Sequence, residues 1–472
     1  MEHQHIGTPP HRTWRAGTLT YTSAGIVGLF CWLLWGDFAW ALKERSVGYV
    51  AQLMVKSFEI TDFGYTVLMV SVPCLSNLFL MPVISFRSDR HRGKYGRRIP
   101  YLAMFTPLVV IGLIGLGLAP MLGKIVHQWI GPDKIALNMV SLIVFGFFWI
   151  ILDIGTSLTN AIFVALANDV VPPQLIGRFL ALFRMVSLCC AVFFSYHLLG
   201  IAEVYGSYIF IALGIFYFVG LYSVCLKVKE GEYPPPDTEG TDRPKDFFSA
   251  AKVYFGECFS DPYYRWVIIA QTCCMQSMLP INIFAIFYAK SLNLNMDLFG
   301  KISAATFLVA VLSSFFLGLL SDKFHPVRTG MVAMALMLSV QLSACFLIHD
   351  VRSFLIVYFI HEILAMSFNT LTASYAPRLF PKVLYAQFNS ALQMLLAITS
   401  LVIAPVGGFI LDRTGNNYAL TFLMGGIIGA AGLLSLVMVF RGYLKYGGDA
   451  NYQPPLPAVW HRRGAEAGEV CK

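Results

Sequence analysis

The stretch Ser88-Asp89-Arg90-His91-Arg92-Gly93-Lys94-Tyr95-Gly96-Arg97-Arg98-Ile99-Pro100 packs five Lys/Arg between an apolar run over 63–86 and another over 100–122. About 20 apolar residues suffice to cross a bilayer as a helix. The stretch therefore reads as a short water-facing turn between two membrane crossings. Working outward from it, runs of crossing length recur at 19–54, 136–168, 175–201, 205–227, 264–289, 298–320, 326–348, 353–376, 387–411 and 417–441. Twelve transmembrane helices are expected.

Composition agrees. Of 472 residues, 57% are hydrophobic and 13% charged, and the mean hydropathy is +0.66. Soluble proteins carry about a quarter charged residues, so 13% cannot clothe a water-facing surface of this size. Soluble enzymes, nucleic-acid binders and disordered chains are excluded at this step. The net charge of +8 is better explained by orientation in a membrane than by nucleic acid. Eight of ten cysteines (Cys31, Cys74, Cys189, Cys190, Cys225, Cys273, Cys274 and Cys345) sit inside apolar runs, and no CxxC pair occurs. They read as small packing residues, and no metal site or cofactor is expected. Residues Met1 to Arg15 are polar and His-rich, without a cleavable signal pattern.

The long break in this rhythm is 228–262, with Tyr233-Pro234-Pro235-Pro236 and a charged stretch ending at Asp246. It reads as a solvated linker, and Phe247 to Phe259 as an amphipathic surface helix. The expected organisation is an N-terminal segment over 1–18, a six-helix bundle over 19–227, the linker over 228–262, a second bundle over 263–441 and a tail over 442–472. Lys and Arg concentrate in the even-numbered connections, which places both termini and the linker in the cytoplasm.

The two halves echo each other. Ser88-Asp89-Arg90 after helix 2 matches Ser321-Asp322-Lys323 after helix 8, and Pro172 matches Pro381 at an offset of 209. The same offset pairs Asp153 with Glu362 and Asn160 with Asn369. An acid followed seven residues later by Asn places both groups on one helix face, two turns apart. Parallel six-helix repeats are the internal symmetry of major facilitator transporters.

On these residues the chain resembles the major facilitator superfamily along its whole length. The SDR…GRRxP form of 88–100 is similar to the branch of glycoside–pentoside–hexuronide cation symporters and sucrose transporters. Helix 4 adds Leu152-Asp153, Asn160, Ala165-Leu166-Ala167-Asn168-Asp169, Pro172 and Gly177-Arg178, and Phe38-Ala39-Trp40-Ala41-Leu42 is similar to a helix 1 stretch of the sucrose transporters. Two departures stand out. The signature glycine before Asp89 is Ser85, although Gly318 keeps its place before Asp322. The arginine that sucrose transporters carry eleven residues after the helix 4 acid is Val164 here. The resemblance implies an all-α integral membrane protein with twelve transmembrane helices in two pseudo-symmetric six-helix bundles. It also implies a gating role for the cluster Asp89, Arg90, Arg97 and Arg98, with Asp169, Arg178, Asp322 and Lys323 as its counterparts.

Ionisable residues inside a span are costly and mark function by default. Asp153 and Glu362 are the leading proton-coupling candidates, with Asp37 beside them. His361, about 100° from Glu362 on its helix, reads as a packing residue. Helix 1 admits two readings. If it ends near Leu42, Lys43-Glu44-Arg45 lie at the outer surface. The likeness of Lys56-Ser57 to Lys290-Ser291 favours a helix running to about Val55. The eleven residues from Arg45 to Lys56 then span about 16 Å, which puts Glu44 and Arg45 near mid-membrane with Asp37 and Glu44 on one face. Candidate substrate contacts are Glu44, Arg45, Trp40, Asn160, Asn369, Asn282, Gln276, Gln393 and Arg184, the last as a replacement for the charge missing at Val164. Trp32, Trp35, Trp149 and Gln271 are weaker candidates.

The expectation is a non-enzymatic secondary active transporter of a small polar solute, a sugar or glycoside, in symport with H⁺ and without a cofactor. Na⁺ is the alternative coupling ion, because carboxylates and Asn also ligate hard cations. An organic anion is the rival substrate if Arg45 and Arg184 line the cavity; a membrane sensor is the rival class. The partners expected are the solute and the lipid bilayer, with no nucleic acid, in a monomer of the plasma (inner) membrane.

Overall fold

The computed structural model describes residues 13–76, 96–231, 256 and 258–455. Among these, eleven helices are long and apolar enough to cross a membrane. In chain order the helices are α1 (Ser23–Lys56), α2 (Asp62–Ser76), α3 (Ile99–Ile130), α4 (Leu137–Val170), α5 (Ile176–Leu198) and α6 (Ala202–Lys227), followed by α7 (Pro262–Ser291), α8 (Met296–Phe324), α9 (Pro326–Leu347), α10 (Val351–Leu379), α11 (Gln387–Arg413) and α12 (Leu420–Lys445). The shorter α2 is the described beginning of the run expected over 63–86; the rest of that run, with Asp89 and Arg90, lies outside the described residues. So does nearly all of the linker and of the surface helix expected in it. A short antiparallel hairpin, β1 (Trp14–Ala16) with β2 (Leu19–Tyr21), precedes α1.

Local chemistry sets the helix ends. Thr22 caps α1 by accepting from the Gly25 N–H at 3.2 Å, and α1 then runs 34 residues to Lys56, about 50 Å at helical rise. That is the long reading of helix 1. The Asp350 carboxylate and the Ser353 hydroxyl form a reciprocal capping box at the start of α10. Interruptions also have causes. In α7 the helix breaks at Ser277–Met278, just ahead of Pro280, where a missing N–H cannot continue the ladder. α2 and α5 each widen into a π-turn, at Val67–Ser71 and Phe194–Leu198.

The chain forms two compact units. In the first are α1, α3, α4, α5 up to Phe194, and α6. Its α3 and α4 approach so closely that a Cβ on Gly112 would meet the Leu152 backbone at 2.7 Å, the kind of small-residue contact that holds membrane helices together where water gives no hydrophobic drive. The second unit comprises α7–α12 together with residues 59–78 and 195–201. There α12 turns Gly425, Gly429 and Gly432 toward α7, with the Ser277 carbonyl 2.5 Å from a Cβ on Gly425. α2 belongs here: a Cβ on Gly408 of α11 would strike the Asp62 carbonyl at 2.5 Å, and the Asp412 carboxylate accepts from the Asp62 and Phe63 N–H groups at 2.8 and 2.9 Å.

Candidate solute site

In the first unit, α1 and α4 enclose a cavity of about 190 Å³ lined by Lys43, Glu44, Val47, Gly48, Trp149, Leu152, Asp153 and Thr156. Trp149, Asp153 and Thr156 follow helical spacing i, i+4, i+7, and Asn160 continues the same face one turn on. On α1, Lys43 is buried to 2% exposure while Glu44 is 48% exposed. The Lys43 ammonium donates to Glu44 at 2.9 Å and to the Thr156 hydroxyl at 3.2 Å, and so ties α1 to α4. It also stands 5.7 Å from the Tyr217 ring centroid and 6.0 Å from that of Trp40.

Charge at this depth costs several kcal/mol unless it is paired or wet. Here the cation is paired and the carboxylate faces the cavity. The sequence reading carried Glu44 and Asp153 as site residues, named Lys43 only within the charged triplet, and missed Thr156. The α4 spacing was a signal for Thr156; no signal distinguished Lys43 within its charged triplet.

Arg45 points elsewhere. Its Nε and Nη2 donate to the Ser187 hydroxyl on α5 at 3.2 and 3.1 Å. Arg184 is exposed on α5, and neither arginine lines the cavity. Asp37 is fully buried, and among the described residues neither of its carboxylate oxygens has a hydrogen-bond partner. The indole N–H groups of Trp40 and Trp149 are likewise buried and without a partner. Trp40 lies 5.9 Å from Phe183, and Trp149 stacks at 6.3 Å on Phe145.

In the second unit Glu362 sits next to His361, whose Nδ1 is 3.3 Å from the Glu362 carboxylate. His361 Nε2 lies 3.2 Å from Gln341 Nε2, which also donates to the Ser277 carbonyl at the α7 break. The Nδ1–H tautomer satisfies both contacts, donating to Glu362 and accepting from Gln341. His361 does pack as expected, edge-on to Phe422 at 5.6 Å, and it orients the acid as well. Gln276 is committed to α11, its amide nitrogen lying 2.7–2.8 Å from Leu396 O and the Thr399 and Ser400 hydroxyls, among which its two N–H groups are shared. Asn282, Asn369 and Gln393 are exposed.

The motif residues gather at helix ends. Arg97 grips Asp169 with two parallel hydrogen bonds of 3.0 and 2.6 Å, and Arg98 adds a third at 3.2 Å. Glu230, absent from the sequence reading, accepts from the N–H groups of Arg97, Arg98 and Ile99 at 2.6–3.1 Å and so caps α3. In the second unit Asp322 pairs with Arg378. Lys323 and Arg178 are exposed. No group of three His, Cys, Asp or Glu side chains converges among the described residues.

Residues 269–446 match the family model described as Major Facilitator Superfamily. No curated protein matches the chain by sequence. Among solved structures, a bacterial homologue of the iron transporter ferroportin in an inward-facing state is similar at 13% identity and TM-score 0.65, covering 88% of this chain and 99% of that one. A bacterial homologue of the human lysosomal transporter Spinster, in its occupied form, is 14% identical at TM-score 0.62, covering 95% and 100%. A D-xylose–proton symporter is 14% identical at TM-score 0.59, covering 88% and 97%. The chain is thus built on the major facilitator fold, with residues 269–446 matching the superfamily's own sequence pattern.

Proposed function

We propose that this protein is a secondary active transporter, not an enzyme, that moves a small polar solute by alternating access. The observation that carries the reading is the α1–α4 cavity, where Glu44 and Asp153 face one space beside the buried Lys43. A membrane-embedded cavity holding two carboxylates and an ammonium suits a solute rich in hydroxyl groups, since each such group can donate and accept. Trp149 lines the cavity with a flat apolar face suited to a sugar ring. At about 190 Å³ the cavity is below the roughly 300–1,000 Å³ of drug-sized sites, which favours a sugar or small glycoside.

Proton symport follows from the acids: Asp153 in the first unit and the His361-oriented Glu362 in the second are the coupling candidates, with Asp37 in reserve. The fold shared with a D-xylose–proton symporter and the branch motifs at 88–100 support the same choice. An organic anion is less well served, because Arg45 and Arg184 do not line the cavity and Lys43 is already neutralised by Glu44. The proposal includes residence in the plasma membrane as a monomer, with both termini on the cytoplasmic side as the excess of Lys and Arg in the even-numbered connections favours.

Counterflow of a labelled sugar panel in proteoliposomes, with and without a pH gradient, tests the reading. Accumulation of one sugar driven by inward-directed protons supports it. Uptake of none of the sugars, or uptake indifferent to pH and driven by Na⁺, overturns the substrate or the ion respectively.

A further inference from the structure

Away from the solute cavity, the second unit carries a membrane-facing groove of about 430 Å³ between α8, α9 and α10. Its walls include Leu317, Leu320, Phe324, Val332, Leu336 and Leu364, and one charged side chain, Arg328, stands among them. Leu320, Phe324, Val332 and Leu336 are all more than 40% exposed. The groove lies at the end of α8 and the beginning of α9, the side on which the basic connections fall.

Arg328 is equipped for an anion. Its Nη1 pairs with Asp449 at 2.7 Å, yet its side chain remains 38% exposed. A guanidinium has five donors, and this pairing occupies only part of the fork. Phe440 holds the guanidinium 5.3 Å above its ring. A second cation, Lys323, sits 5.3 Å from the ring of Phe324, which lines the groove. The arrangement is an apolar slot with Arg328 in its wall and Lys323 beside the lining Phe324, and a bilayer component with one negative head and an acyl chain complements both parts. Basic pockets between helices on the cytoplasmic side bind anionic headgroups on this principle.

We propose that the α8–α9–α10 groove is a binding site for one anionic phospholipid, with an acyl chain along Leu320, Val332 and Leu336 and the phosphate on Arg328 and Lys323. Arg328 is then shared. Asp449 keeps one side of the fork while the phosphate takes the free donors, and the carboxylate's negative charge beside the headgroup opposes binding.

The test uses the delipidated full-length protein in detergent, titrated with phosphatidylglycerol or phosphatidylcholine and followed by native mass spectrometry. One phosphatidylglycerol is expected to bind more tightly than phosphatidylcholine. Arg328→Gln should weaken it about fivefold, the worth of one basic residue at an anionic interface, and Val332→Trp should fill the slot and abolish it. Asp449→Asn should strengthen phosphatidylglycerol binding, because it removes the opposing carboxylate charge. A purely structural Arg328–Asp449 pair predicts no gain from Asp449→Asn. Equal binding of the two lipids, displacement by inorganic phosphate alone, or retention in Val332→Trp would each overturn the proposal. If Arg328→Gln fails to fold, Lys323→Gln and Asp449→Asn carry the same decision.

Discussion

Lys43 and Glu44 are consecutive residues of one helix, yet their side chains close on each other at 2.9 Å, the lysine buried and the glutamate facing the cavity. The asymmetry decides which partner the fold depends on. Without Glu44, a buried ammonium loses its carboxylate partner and keeps the Thr156 hydroxyl and the faces of Tyr217 and Trp40. Without Lys43, a carboxylate remains that cavity water can solvate.

Glu44→Gln should therefore destabilise the protein more than Lys43→Met, and the double variant should recover part of the loss. The single change should cost roughly 1–3 kcal/mol, below the 3–5 of a fully buried pair because Glu44 is half exposed. Thermal unfolding in detergent across the four-member cycle reads this. Equal losses for both single variants would mean that the pair is not asymmetric.

Asp153→Asn should preserve folding and solute exchange while abolishing uphill accumulation, because an amide cannot cycle a proton. The measurement is proteoliposome uptake under an inward proton gradient beside counterflow without one. Wild-type accumulation with unchanged pH dependence would remove Asp153 from the coupling role.

A cysteine at position 48, which also lines the cavity with room for a side chain, in a background lacking the exposed Cys31 and Cys189, should react with a small polar thiol reagent and be protected by the transported solute. Glu44→Ala and Arg45→Ala should each abolish transport, the first by stripping the cavity and the second by freeing α5 at Ser187. Unprotected labelling with near-normal transport in the alanine variants would take α1 out of the solute site.

Asp169→Asn should lower turnover severalfold and leave solute affinity within a few-fold. Arg97 and Arg98 hold this carboxylate at the helix ends, away from the cavity, and charge-assisted pairs there are suited to holding one state of a cycle. The Asp89 counterpart in the same motif should behave alike. Initial rates over a range of solute concentrations separate the two quantities; a large loss of affinity at unchanged turnover would contradict the placement.

His325, in the turn between α8 and α9, is held below the ordinary imidazole range, to about 4, first by burial and then by the Arg378 guanidinium, with Asp449 opposing. An unfolded His takes its proton near 6.5. The unfolded chain therefore binds more protons than the folded one as pH falls from about 6.5 toward 4, and this histidine's contribution to stability is lost across that window. His325→Asn tolerates the positive φ of 71° at this position and should flatten the dependence. Unfolding temperatures from pH 7 to 4.5 test it, and an unchanged slope in the variant would refute it.

The membrane class and the eleven spans found among the described residues were legible in the residues themselves, because runs of about 20 apolar residues are local facts. The same holds for Asp153 and Asn160 on one face of α4, since helical period alone aligns them; Thr156 on that face was overlooked. Which charge in Lys43-Glu44-Arg45 turns inward was not legible. Three consecutive residues point 100° apart, and only the positions of α4, α5 and α6 around α1 send Lys43 to Thr156 and Tyr217, Glu44 to the cavity and Arg45 to Ser187. Glu230 and Arg378 lie far along the chain from the groups they bind, Arg97 and Asp322, so no spacing rule could pair them. Apolar periodicity specifies where helices form; the tertiary packing, held by Gly112 on Leu152 and Gly425 on Ser277, decides which polar side chains meet.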